Sequence, residues 1–184
     1  SIAFHVPSTL PYYRTKPEQY ISNMLGHEGE GSLHSLLIQR GWIESLGAGT
    51  QSFDRNTSLI SANFELTQAG SKHVPEIMGL FFAHIDKLKS VEPEAWRYTE
   101  QAKVAELAFQ FQERGSTVGF VYQMAPRLNE YPPEDLLAAP YLMEGFQPDL
   151  IKDLLARMTP ENVLVELAMP DFQSPTVEPW FADR

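Results

Sequence analysis

Ile2, Phe4 and Val6 alternate with Ala3 and His5 ahead of Pro7, a period-two pattern that predicts a short strand. Pro17 is placed to open a helix over 17–25, with Tyr20, Ile21, Met24 and Leu25 on one face. Glycines from Gly26 to Gly31 break it. A second helix over 32–40 turns Leu33, Leu36 and Leu37 inward and stops at Gly41. Two strand segments follow, over 43–53 and 57–67, with Asp54-Arg55-Asn56 as the turn. In the second, Ile60, Ala62, Phe64 and Leu66 alternate with Leu59, Ser61, Asn63 and Glu65, so the two segments read as a half-buried hairpin.

Helical periodicity dominates the remainder. Residues 71–90 carry Val74, Ile77, Met78, Phe81, Phe82, Ile85 and Leu88 on a continuous apolar face. Further helices are expected over 93–113, 115–127, 133–139 and 148–158, and a last strand over Asn162 to Met169. Pro170, Pro175 and Pro179 mark the tail as a linker. Strands that cluster instead of alternating one-for-one with helices predict an α+β fold, a mainly antiparallel sheet covered by helices. The domain reading is one α+β domain over 1–169 and a linker segment over 170–184.

Composition narrows the function classes. The 184 residues are enough for one full core, and 24 acidic against 14 basic residues give a net charge of −10. That balance argues against a phosphate-tracking surface, so no nucleic-acid partner is expected. No run is long enough to span a membrane, and no membrane partner is expected. The absence of cysteine excludes disulfides, thiol catalysis and cysteine-type zinc sites. The chain opens on Ser1-Ile2-Ala3-Phe4 without an initiator methionine or a basic leader and reads as mid-strand, which predicts a piece of a longer protein.

The densest signal is glycine. Six of the eleven glycines, Gly26, Gly29, Gly31, Gly41, Gly47 and Gly49, fall between residues 26 and 49. Gly26, Gly29 and Gly31 suit a tight turn between helices. Gly47 and Gly49 are harder to place, because glycine inside a strand weakens it unless another backbone comes close. Two readings stand beside each other: a β-bulge, or an edge that accepts an extended peptide by strand addition.

Candidate catalytic patterns fail one by one. His27-Glu28 would need a histidine at position 31 for His-x-x-x-His zinc ligation with its glutamate base, and that residue is Gly31. His73-x-x-Glu76 begins an inverted motif, but Ile77 stands where its second histidine belongs. No nucleophile elbow, P-loop or dinucleotide fingerprint occurs. His5 is expected to face solvent or a neighbouring domain, His84 the polar side of its helix, and Glu28 and Glu30 are expected as solvated charges near a helix N-terminus. No catalytic residue and no metal ligand is assigned within the chain.

Gly26-His27-Glu28-Gly29-Glu30-Gly31-Ser32-Leu33, Arg40-Gly41-Trp42 and Ser45-Leu46-x-x-Gly49 resemble the insulinase/pitrilysin (inverzincin) zinc metallopeptidases, and specifically the non-catalytic second domain of insulysin-like members. The resemblance extends through Phe146-Gln147-Pro148-Asp149-Leu150-Ile151, Thr159-Pro160-Glu161-Asn162-Val163 and Glu178-Pro179-Trp180. It implies a metallopeptidase or processing-peptidase-like α+β domain, one of four in a polypeptide whose two halves close around a chamber. The zinc and its His-x-x-Glu-His motif are expected in the parent's first domain, with no cofactor in this chain.

The implied role is a chamber wall and an exosite that anchors a peptide substrate by strand addition. Carried over by motif, the substrate-binding positions are His27, Gly29, Gly31, Leu46, Gly47, Ala48, Gly49 and Gln51. Ala48 stands where members of that family tend to have glycine. The partners implied are peptide substrates and the other domains of the parent peptidase. The parent is expected to be a zinc metalloendopeptidase and this chain alone inactive. The alternative is a catalytically silent scaffold in a processing-peptidase-like assembly. Bacterial members of the family are often periplasmic, so a periplasmic location is expected if the source is bacterial, with any signal peptide lying outside this chain.

Overall fold

A computed structural model describes residues 1–113 and 115–168. Its elements run β1 (Ile2–Pro7), α1 (Pro17–Leu25), α2 (Leu33–Gln39), β2 (Ile43–Ser52), β3 (Thr57–Leu66), α3 (Val74–Lys89), α4 (Ala95–Gln110), α5 (Thr117–Arg127), α6 (Pro148–Ala156) and β4 (Val163–Val165). The four strands form one sheet in the order β2-β3-β1-β4, and every neighbouring pair is antiparallel. The architecture is the expected α+β one.

The local causes are legible. Ser32 caps α2 by accepting a hydrogen bond from Ser35 N at 3.0 Å, which satisfies an otherwise orphaned donor. Gly41 then takes φ +67, a left-handed turn that a side chain would resist. The alternating residues of β3 divide as predicted, with Ile60 and Ala62 buried and Asn63 and Glu65 exposed. Phe81 of α3 anchors the helix layer on the sheet, 6.1 Å from Phe4 and 5.6 Å from Phe64 between ring centroids. Tyr20, Ile21 and Leu25 of α1 and Ile151 and Leu155 of α6 complete this core. Each such side chain contributes about 1.5–3 kcal/mol on burial. The other face of the sheet, with Ser45, Gly47, Asn63 and Glu65, lies open to solvent.

Two departures have physical reasons. The helix expected over 133–139 is only a 3-10 turn at Pro133–Asp135, hemmed in by Pro132 and Pro140. The strand expected over 162–169 is limited to Val163–Val165, where it pairs with Ile2, Ala3 and Phe4. Asn162 belongs to a 3-10 turn, and Met169 lies outside the described residues, as does the tail over 170–184. α5 forms as predicted and buries none of its residues, leaving Val121 and Tyr122 exposed.

Residues 131–144 are fastened to the loop before α1. Arg14 bridges Asp135 at 2.5 Å and Glu144 at 2.7 Å, and the Tyr13 hydroxyl donates to Asp135 at 2.6 Å. The Lys16 ammonium donates to the carbonyls of Tyr13, Leu142 and Ala139. Lys16 does so from φ +44, and among the described residues it is the one non-glycine residue with positive φ.

Candidate peptide-docking edge

β2 is an outer strand of the sheet, with β3 on one side only. Among the described residues, the main chain of Ile43–Gln51 forms no hydrogen bond outside the ladder to β3, apart from a 3.5 Å contact that Ser61 Oγ donates to Gly49 O. An antiparallel edge strand directs alternate N–H and C=O groups away from its partner. Leu46, Gly47, Ala48, Gly49 and Gln51 all lie on this edge.

The two glycines of this strand have no internal explanation. Neither Gly47 nor Gly49 has positive φ. Among the described residues, a Cβ built on either would meet no atom within 4 Å beyond its own chain neighbours. The pairing runs without a register shift from Ser45 to Ser52, and the one irregularity lies between Ile43 and Ser45. A bulge therefore does not account for them. The fold leaves Gly47 and Gly49 as bare main chain on an open edge.

The other expected residues are brought close from a separate part of the sequence. Gly26, at the end of α1, packs on Ala48: a Cβ on Gly26 would lie 3.4 Å from Ala48 N and 3.6 Å from its Cβ. The turn holding His27, Gly29 and Gly31 thus begins against the middle of β2. His27 is exposed, and its imidazole covers Gly29. Gly31 takes φ +77, and a Cβ added there would meet no atom of the described residues within 4 Å. The Leu46 side chain, in contrast, is buried in the core, so this residue offers only its main chain. Gln51 is exposed near the far end of the strand, paired with Leu59.

Metal chemistry finds no support in these residues. Among the described residues, no group of three or more His, Asp or Glu side chains could hold an ion. His73 Nδ1 pairs with Glu76 at 3.1 Å and its ring stacks on Trp42, so the inverted-motif residues serve packing. His84 is not on a polar face as expected. It projects from α3 against the C-terminal end of α1, partly buried, with Nε2 3.3 Å from Met24 O, and burial lowers its pKa. Glu28 and Glu30 are exposed, as expected for solvated charges.

Sequence reading missed the polar contacts of Tyr13, Arg14 and Lys16, because their partners lie more than a hundred residues away. It also missed Glu18, a carboxylate buried in the first turn of α1 with Oε2 lacking a hydrogen-bond partner among the described residues. No spacing in the sequence marks either.

Residues 1–103 match the family profile described as the peptidase M16 inactive domain. The chain belongs to the peptidase M16 family. Residues 109–183 match a second profile of the same family, its middle or third domain. This M16 chain is 35% identical to human (Homo sapiens) insulin-degrading enzyme over 175 residues, covering 94% of the chain and 17% of that enzyme. It is 29% identical to the A-factor-processing enzyme of Saccharomyces cerevisiae, covering 98% of the chain and 18% of that protein. The M16 chain therefore spans under a fifth of the length of these curated relatives. Its fold is that of a segment of crystalline pitrilysin, with a TM-score of 0.85 at 21% identity over 88% of the chain and 17% of pitrilysin. A peptidase M16 inactive domain from Pseudomonas fluorescens gives a TM-score of 0.57 at 14% identity, over 88% of the chain and 38% of that one. The insulinase-family, non-catalytic assignment made from the glycine motif is the one these matches support.

Proposed function

We propose that this chain is a non-catalytic, peptide-anchoring domain of a larger M16 zinc metallopeptidase, and that β2 takes an extended peptide substrate as an added strand. The observation that carries this reading is the pair Gly47 and Gly49, glycines on an edge strand for which the chain's own packing gives no reason. Bare main chain there lets another strand approach without side-chain interference. Main-chain hydrogen bonds accept almost any sequence, which suits a peptidase with varied substrates.

Anchoring one end of a peptide raises the local concentration of its scissile bond at a distant catalytic centre. In this reading the zinc belongs to another domain of the parent, and this chain supplies binding and chamber wall. The net charge of −10 favours an approaching ammonium group. Residues 131–144, clasped by Tyr13, Arg14 and Lys16, belong to the same structural unit as the sheet in this account.

Fluorescence anisotropy tests the proposal, using a labelled unstructured peptide with a free or an acetylated N-terminus. Saturable binding that acetylation weakens is expected. Absence of binding by either peptide contradicts an anchoring site carried by this chain.

A further inference from the structure

A groove of about 420 Å³ lies between α1 and α4, lined also by His27, Pro140 and Met143. On the α1 side, Gln19 and Asn23 stand one helical turn apart, both exposed. Neither side chain forms a hydrogen bond among the described residues. On the α4 side, the groove includes Gln101, with Ala105 and Ala108 below it.

Gln101 is the anomaly. Its Nε2 and its Oε1 are both shielded from solvent, and neither has a hydrogen-bond partner among the described residues. A buried donor or acceptor left without a partner forfeits its hydration with nothing gained in exchange. Such groups are rare enough in folded proteins to need a reason. Turning this carboxamide out into the groove sacrifices no hydrogen bond, since it makes none where it lies.

The charges around the groove are largely committed elsewhere. The Lys16 ammonium is consumed by its carbonyls. Arg97 donates to Glu94 at 2.6 Å and stacks over Trp96. Glu100 is exposed at the mouth and forms no ion pair among the described residues. What remains inside is a set of neutral carboxamides, each offering a donor and an acceptor side by side. That pattern complements a peptide unit, which presents one N–H and one C=O. It complements neither a phosphate nor a metal ion.

We propose that this groove continues the path of a bound peptide beyond His27, holding its main chain, with the Gln101 carboxamide pairing one peptide unit between Gln19 and Asn23. The inference rests on the docking reading given above and extends it to a second set of contacts.

The test replaces Gln101 by leucine in the full 184-residue chain. The probe is a fluorescein-labelled peptide of repeating Ala-Gln-Gly, read by anisotropy, with thermal unfolding read in parallel. Removing an unpaired buried amide stabilises the fold, so Gln101→Leu is expected to melt higher than the parent chain. The same change is expected to weaken the peptide by about tenfold, the loss of one two-hydrogen-bond pair. Gln19→Ala, on the exposed rim, is expected to weaken it less without altering unfolding. Peptide binding weakened by Gly49→Val but unchanged by Gln101→Leu and Gln19→Ala overturns the groove and leaves the docking edge standing. No binding by the unaltered chain overturns both.

Discussion

The imidazole of His27 lies so close over Gly29 that a methyl group built there would fall 2.6 Å from Nε2. The atom in the way is the far end of an exposed side chain, so Gly29→Ala displaces the ring without disturbing the core. If His27 orients a peptide from that position, the substitution weakens peptide binding by about fivefold, roughly 1 kcal/mol. Thermal unfolding is expected to stay the same. An alanine variant that binds normally removes His27 from the docking surface.

Gly70 gives the opposite outcome. A Cβ there would lie 1.8 Å from the Trp42 carbonyl oxygen, a main-chain atom that also accepts from Thr67 N at 3.1 Å. Nothing flexible can yield. Gly70→Ala forces the base of the β2–β3 hairpin away from the turn before α3, and destabilisation of about 1–3 kcal/mol or more is expected from such overpacking. Urea denaturation measures it, and a shift of less than half that size contradicts the contact.

The fastening of residues 131–144 is testable at Arg14. This side chain is half exposed yet spans Asp135 and Glu144, and the neighbouring Tyr13 ring packs on Tyr131 at 5.1 Å. Arg14→Ala is expected to speed amide hydrogen exchange selectively over 136–144, leaving the sheet protected, because local opening follows local contacts. Uniform exchange across both regions contradicts the clasp.

The contrast between these positions explains what the sequence disclosed. The hairpin and α1 were readable because Ile60, Ala62 and Phe64 keep strand period and Pro17 marks a helix start. Gly29 and Gly31 were readable as a turn, and Gly47 and Gly49 as an anomaly. That the strand carrying them is an outer one depends on β1 inserting on the far side of β3, a long-range pairing that periodicity does not encode. Pro133 suggested a helix, but Pro132 and Pro140 on either side confine it to a 3-10 turn. The unpartnered Gln101 on α4 follows from packing alone, since a glutamine on a helix usually means nothing more than a solvated face.

A pH dependence follows from Glu18. Burial raises its pKa from the ordinary 4.5 to about 7, an effect that its own main-chain N–H and the nearby Lys16 only partly offset. The folded chain therefore holds this proton more tightly than the unfolded chain, and stability falls as pH rises from about 4.5 to about 7. The shift corresponds to about 3 kcal/mol. Glu18→Gln is expected to remove this part of the slope and to be more stable than the parent above pH 7, as read by urea denaturation over that range. Parallel curves for the two proteins contradict the assignment.

The most direct test of the docking edge is hydrogen exchange at Leu46–Gln51 with and without saturating unstructured peptide. Strand addition places hydrogen bonds on the outward N–H groups of β2, so slower exchange at alternate residues of this stretch is expected, with the inward N–H groups already protected by β3. Peptide binding that leaves every amide from Leu46 to Gln51 exchanging as before would show that the peptide docks elsewhere, and the account of Gly47 and Gly49 would fail.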